Sequence, residues 1–277
     1  MGLTARRFAS RFPRAARIAL IPIRFWNGLS WFATNFALLA KWIVQSKEHT
    51  NYTYDLRPMN EEYLASLVSL VTGDSYEGIL DYLNEIHADE GLREHIRVRT
   101  AASAFRAVSD EDARYGRRVG WYAFIRAMKP KIVVETGVDK GLGACVICRA
   151  LQRNAENGHP GTYYGTDVNP DAGWLIGDMI VGKILYGDSI ESLKRLDKID
   201  LFINDSDHSA DYEAREYETI LSRLSPGGII LGDNAHCTNR LQRFSIANGR
   251  RFLFWEEKPA GHWYPGAGIG VSFPRLP

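Results

Sequence analysis

Carboxylates stand at the end of almost every predicted strand of this chain: Glu135, Asp167, Asp188, the pair Asp205 and Asp207, and Asp233 beside Asn234. In an open parallel sheet, ligands bind beyond the carboxyl ends of the strands, so acids sharing that edge address one ligand. The first of them opens a glycine-rich turn, Glu135-Thr136-Gly137-Val-Asp-Lys-Gly141-Leu-Gly143, whose glycines permit a tight bend and close approach of backbone to ligand. The small-residue helix that follows directs its N-terminal amides at the same place. The order G-x-x-x-G-x-G is not the dinucleotide fingerprint G-x-G-x-x-G, which disfavours a nicotinamide or flavin enzyme. An acid after the second strand, Asp167, can accept both ribose hydroxyl protons, and Asp188 with Ser189 can receive an adenine amino group. The ligand so described carries adenosine.

The elements that must position these residues follow from hydrophobic patterning. Strand patterns at Ile132–Thr136, Tyr163–Asp167, Lys183–Asp188, Ile199–Asn204 and Gly228–Asp233 alternate with helical or loop stretches, the signature of a doubly wound, mostly parallel α/β sheet. Residues 51–109 read as a helical prelude, with helices ending near Gly73 and spanning Tyr76–Ile86 and Gly91–Val98, and a further helix is expected over Asp110–Met128. The domain division is 1–50, a basic amphipathic segment; 51–109, the prelude; and 110–277, the catalytic domain.

Taken in order, these motifs resemble those of class I S-adenosylmethionine-dependent methyltransferases. Glu135-Thr-Gly-Val-x-x-Gly141 is similar to the family's first motif, and Asp167 and Asp188 to its ribose-binding and adenine-binding acids. The resemblance implies a Rossmann-like, seven-stranded sheet with one antiparallel strand, its last pair at Arg251–Trp255 and Gly268–Phe273. It implies S-adenosylmethionine as cofactor, held by Glu135, Thr136, Gly137, Gly141, Asp167, Asp188 and Ser189.

A second segment, Phe202-Ile-Asn-Asp-Ser-Asp-His-Ser-Ala-Asp-Tyr212, followed by Pro226-Gly-Gly228 and Leu231-Gly-Asp-Asn234, resembles a pattern of metal-dependent small-molecule O-methyltransferases of the macrolide-sugar and catechol type. Asn204 and Ser206 depart from the usual neighbours in that pattern. The resemblance implies Mg²⁺ or another divalent cation held by the hard oxygens of Asp207, Asp233 and Asn234. A cation there lowers the pKa of an acceptor hydroxyl, and Asp205 or His208 then removes the weakened proton. Asp205 is favoured, since the similar sugar enzymes place a carboxylate there; His208 and His236 also read as supports for neighbouring groups. The function expected is O-methylation of a small molecule or glycan, sugar-like acceptors being favoured. The alternatives are a non-catalytic S-adenosylmethionine-binding module and a methyltransferase of another acceptor class.

Composition narrows the partners. The chain has 277 residues and a net charge of +1, yet residues 1–47 hold eight cationic side chains and no acid, so that this segment is +8 and the remainder −7. A basic, tryptophan-rich head on an acidic body fits an anionic lipid surface better than nucleic acid. Leu29, Phe32, Phe36, Leu39 and Ile43 share one helical face, while Ser30, Thr34, Lys41 and Gln45 lie opposite. The uncharged run from Phe25 to Ala40 is too short and too polar to span a bilayer. This helix either lies on a membrane or packs against the catalytic domain or a second subunit, and homo-oligomers fit the latter. Three cysteines make no disulfide framework, so a cytoplasmic location, peripheral at the membrane, is expected. Cys145-x-x-Cys148 reads as core packing, and His262-Trp-Tyr264 as an aromatic floor for the acceptor or a packed loop.

Overall fold

A computed structural model describes residues 10–50, 53–112, 114–207, 209–233 and 235–275. The chain divides into two compact units: one runs to Ser46 and takes in Gly261–Trp263, and the other comprises Lys47–Ala260 with the chain from Tyr264.

The first unit is helical, with α1 (Pro13–Ala19) and α2 (Ile21–Gln45). Both helices carry proline in the first turn, where its missing N–H costs nothing. Phe25, Leu29, Phe32, Phe36 and Ile43 are exposed along α2. Near its C-terminus, Trp42 meets Trp263 edge-on, with ring centroids 5.4 Å apart, and His262 stacks on Trp263 at 6.0 Å. Among the described residues no helix is long and apolar enough to cross a membrane.

The second unit opens with α3 (Pro58–Thr72), α4 (Tyr76–His87) and α5 (Glu90–Ala102), the expected prelude. Gly73 ends α3 in the left-handed conformation, as its φ of +78° requires. Ser75 and Asp89 cap α4 and α5 through their side chains. This prelude does not stand apart from the catalytic domain. Leu64, Val68, Ile79, Leu83, Leu92 and Ile96 enter one core with Trp121, Phe124, Val133 and Ile147, each large apolar side chain stabilising the fold by roughly 1.5–3 kcal/mol on burial.

Next come α6 (Arg118–Met128), β1 (Ile132–Thr136), α7 (Leu142–Glu156), β2 (Thr162–Asp167), β3 (Gly182–Tyr186), α8 (Ser189–Leu193), β4 (Ile199–Asn204), α9 (Ala210–Ile220), β5 (Leu224–Gly232), α10 (Arg240–Ala247), β6 (Arg251–Glu256) and β7 (Gly268–Phe273). The sheet has seven strands in the order β3-β2-β1-β4-β5-β7-β6, parallel except for β7, which pairs antiparallel with both β5 and β6. The strand order reverses between β1 and β4, the crevice where such sheets bind ligands. Beyond the strands, the Asp205 amide donates to Thr136, Asp233 to Asn204 and Gly137 to Thr166, at 2.9–3.0 Å, so the loops carrying the acids are pinned by the same ladder.

One element differs from expectation. The helix expected over Asp110–Met128 begins only at Arg118. Upstream, Gly116 takes φ +52° against the ring of Tyr54, and a Cβ at this position would collide with it. The Gly116 amide donates to the Tyr54 carbonyl and the Arg117 amide to Glu257. Tertiary partners therefore satisfy these backbone groups and hold Arg117 at the helix start, aimed at the site.

Candidate active site

The glycine turn is dictated by close approach. Gly137 (φ +82°) lies so near the Asp205 carbonyl that any side chain there would overlap it, and Gly141 (φ +96°) caps α7 in the left-handed region. Gly143 lies against the Glu135 carboxylate, where a Cβ would also clash. Glu135 is 1% exposed and accepts a 2.5 Å hydrogen bond from Tyr163. Burial pushes its pKa up to about 8; the Tyr163 hydrogen bond and the Arg118 charge only partly offset that.

Two cavities meet along this turn, sharing Gly137, Asp167 and Ser206. The one toward β3 is about 380 Å³ and is lined by Asp167, Asp188, Ser189, Asp207 and Tyr212 among others. Asp167 accepts the amides of Asp139 and Asn169, at 2.9 and 2.8 Å, through separate oxygens. Asp188 caps α8 through the Glu191 amide and accepts from Tyr212 at 3.2 Å. Each carboxylate oxygen retains a lone pair for a ligand. The Ser189 hydroxyl donates to Glu216 and is 2.9 Å from that of Tyr212. Thr136 turns the same way, its hydroxyl 3.4 Å from Glu216. These two residues therefore build the floor beneath the cavity.

The other cavity is about 340 Å³ and is lined by Arg117, Arg118, Glu135, Asp139, Lys140 and Asp205, with loop residues completing it. Arg117 grips Asp233 with Nε and Nη2, one nitrogen to each carboxylate oxygen, and reaches Glu257 at 3.3 Å with Nη1. Glu257 is held in turn by the Tyr54 hydroxyl and the Ala267 amide, each at 2.7 Å. Asp205 is half-buried beside Asp233. Desolvation and the Asp233 charge raise the Asp205 pKa well above the carboxylate range, whereas Arg117 holds Asp233 below it. The two acids are thus pushed apart, Asp233 toward the ionised form and Asp205 toward the protonated one. Such an acid, once ionised, is a stronger base than an ordinary carboxylate.

The acids expected to grip a cation are arranged differently. Asp207 is exposed, and its carboxylate accepts the Ser209 amide at 2.9 Å, a local turn. Asp233 is buried, with both oxygens committed to Arg117, and a guanidinium already occupies the place of a positive charge. Asn234 and the second base candidate, His208, lie outside the described residues. Among the described residues no cluster of three or more His, Cys, Asp or Glu is arranged to hold a metal ion. The donor set, so far as it is described, does not fit Mg²⁺. His236 lies with Nδ1 3.1 Å from the Asp233 carbonyl, a supporting contact. The expected aromatic floor divides: His262 and Trp263 pack with Trp42, while Tyr264 sits 5.9 Å from Tyr54 in the second unit. Cys145 and Cys148 are buried in α7, and burial pushes the Cys148 thiol up to about 12, which keeps it protonated and inert.

Three residues of the site are given no role by the motifs. Arg117 precedes a helix whose start only tertiary contacts set. Glu216 is fully buried and accepts from Ser189, Asn204 and Ser206, so it ties β4 and the loops around the first cavity together. Tyr212 closes that cavity over Asp188. A signal for Glu216 exists in the amphipathic spacing of α9, where Glu213, Glu216, Tyr217 and Ile220 fall on one buried face. Two acids on a buried helix face must be paired.

Comparison with known proteins agrees with this geometry. Residues 134–235 match a family model described as a methyltransferase domain, and the strand order is that of class I methyltransferases. No curated protein is similar to the chain in sequence. Among solved structures, the chain is similar to the SAH-bound methyltransferase PaMTH1 of Podospora anserina, at 18% identity over 68% of this chain and 88% of that one, with a TM-score of 0.48. A putative O-methyltransferase of Klebsiella pneumoniae gives 16% identity, 68% and 91% coverage, and a TM-score of 0.47. The O-methyltransferase TomG of Streptomyces achromogenes, solved with SAM and involved in tomaymycin synthesis, gives 13%, 68% and 91%, and 0.48.

Proposed function

We propose that the chain, whose residues 134–235 match a methyltransferase-domain model, moves the methyl group of S-adenosylmethionine to a hydroxyl of a small, sugar-like acceptor. The observation carrying this reading is the acid pair Asp205 and Asp233, held by Arg117, with Asp205 and Arg117 both lining the second cavity. Asp167, Asp188 and Tyr212 would hold the adenosine, and Glu135 the methionine ammonium, of S-adenosylmethionine, which would supply the activated methyl group. The polar lining of the second cavity, with Arg118, Lys140 and Asp139, favours a polyhydroxylated acceptor over a flat apolar one.

Ionised Asp205 takes the acceptor's hydroxyl proton while the oxygen attacks the methyl carbon in line with the breaking carbon–sulfur bond. The products are the methyl ether, S-adenosylhomocysteine and protonated Asp205. Arg117 acts through Asp233: it keeps that carboxylate ionised and oriented, which sets the basicity of Asp205. Arg117 supplies a fixed positive charge beside the acid pair. Mass spectrometry of acceptor mixtures incubated with enzyme and methyl-labelled S-adenosylmethionine tests the proposal. A labelled methyl ether is expected, absent with Asp205→Asn although that variant still binds S-adenosylhomocysteine. Labelled product on nitrogen or sulfur alone, or full turnover by Asp205→Asn, would refute it.

A further inference from the structure

The proposed methyl transfer draws on neither helix α2 nor the arginines before it, yet their chemistry is specific. Phe25, Leu29, Phe32, Phe36, Leu39 and Ile43 recur at intervals of four and three residues, one side of a helix, and all but the half-buried Leu39 are exposed. Trp26 and Trp31, 68% and 63% exposed, flank this stripe, where an indole is suited to the boundary between acyl chains and headgroups. Arg24, Asn27, Ser30, Thr34, Lys41 and Gln45 occupy the remaining arc. Ahead of α2, Arg11, Arg14 and Arg17 are exposed on and beside α1. The segment's own sequence holds no acid: residues 1–47 carry eight cationic side chains, of which Lys47 pairs with Glu111, and no Asp or Glu, on a chain whose remainder is net negative.

An exposed aromatic stripe of this length is a liability unless something covers it. The two candidate covers differ in charge. A second copy of the chain would bring another +8 segment, and antiparallel or parallel pairing of α2 would place like charges side by side. An anionic bilayer supplies both an apolar layer for the stripe and negative charge for the arginines. We infer that α1 and α2 form an interfacial anchor that lies in the plane of an anionic lipid surface, with Phe25, Phe32 and Phe36 below the headgroups and Arg14, Arg17 and Arg24 at their level. Since α2 is too short of apolar length to cross, the anchor lies on the membrane and is released by salt.

Flotation of the full chain with liposomes tests this inference. Vesicles of phosphatidylcholine alone are compared with vesicles in which phosphatidylglycerol makes up about a third of the lipid. The chain floats with the anionic vesicles at least about tenfold better than with the neutral ones, and raising salt from about 0.15 M to about 0.5 M reverses most of that gain. The double variant Phe32→Asp/Phe36→Asp stays with the soluble fraction. Arg14→Glu/Arg17→Glu, confined to exposed positions, loses about tenfold or more in binding while keeping the parent's melting temperature. No preference for anionic vesicles, or flotation undiminished in both variants, overturns the inference. So does sedimentation velocity showing self-association that Phe32→Asp/Phe36→Asp abolishes, with no lipid binding, which would assign the stripe to a second copy.

Discussion

Glu135 offers the sharpest test, because its environment converts cofactor binding into a proton count. With a pKa of about 8 it is about nine-tenths protonated at pH 7 in the free protein. Ionising it there costs about 1.4 kcal/mol, which the cofactor's ammonium must supply. If the bound pKa falls below about 5, binding at pH 7 releases about 0.9 proton, and the affinity rises about eight- to ninefold between pH 6 and 7 as the ionised fraction grows. An α-amino group itself loses its proton near pH 8, so the window must stay below that. Isothermal titration of S-adenosylhomocysteine in phosphate and in a high-enthalpy amine buffer at pH 7 gives the proton number from the difference in apparent enthalpy. Glu135→Gln, which keeps the shape and removes the charge, should release none, and its affinity should approach that of the parent as pH falls to 6. A proton number of zero for the parent, or an equal release by the variant, would refute the placement of the ammonium at Glu135. The free protein provides a further reading. A folded-state pKa above the unfolded value of 4.5 means that stability is lost as pH rises from about 4.5 toward 8, and ligand should restore it.

Other consequences concern the acid pair and its supports. The rate should climb with pH on a limb whose midpoint lies well above that of an ordinary carboxylate, since only ionised Asp205 accepts a proton; a flat profile from pH 5 to 8 in kcat/KM would contradict this. Arg117→Ala leaves Asp233 and Glu257 buried without their cation and should destabilise the fold by about 3–5 kcal/mol, read by urea denaturation, with the rate limb displaced to higher pH in whatever protein remains folded. Glu216→Ala strips the acceptor from Ser189, Asn204 and Ser206 and should cost about 2–4 kcal/mol, together with cofactor affinity, measured by calorimetry. Chelation by EDTA should leave turnover unchanged, whereas a strict requirement for Mg²⁺ would mean that Asp233 exchanges Arg117 for a cation.

Local sequence determined a great deal of this protein. Apolar patterning placed the first five strands and the prelude helices within a few residues, because burial on a sheet or helix face is written into the order of apolar positions, whereas β6 and β7 were expected only from the family resemblance. The glycine turn and the acids at 135, 167 and 188 were legible for the same reason: strand, turn and ligand group are adjacent in the chain. What the sequence could not decide was which distant groups would pair. Asp233 reads as a cation ligand until Arg117, 116 residues away, closes on both its oxygens. Asp205 and Asp233 acquire opposite pKa shifts although both are acids after neighbouring strands, and Glu216 becomes a buried hub from the middle of a helix. Desolvation and charge pairing act through space over a few ångströms, so only the packed structure sets them, whereas backbone propensity acts between neighbours in the chain and is already present in the order of residues.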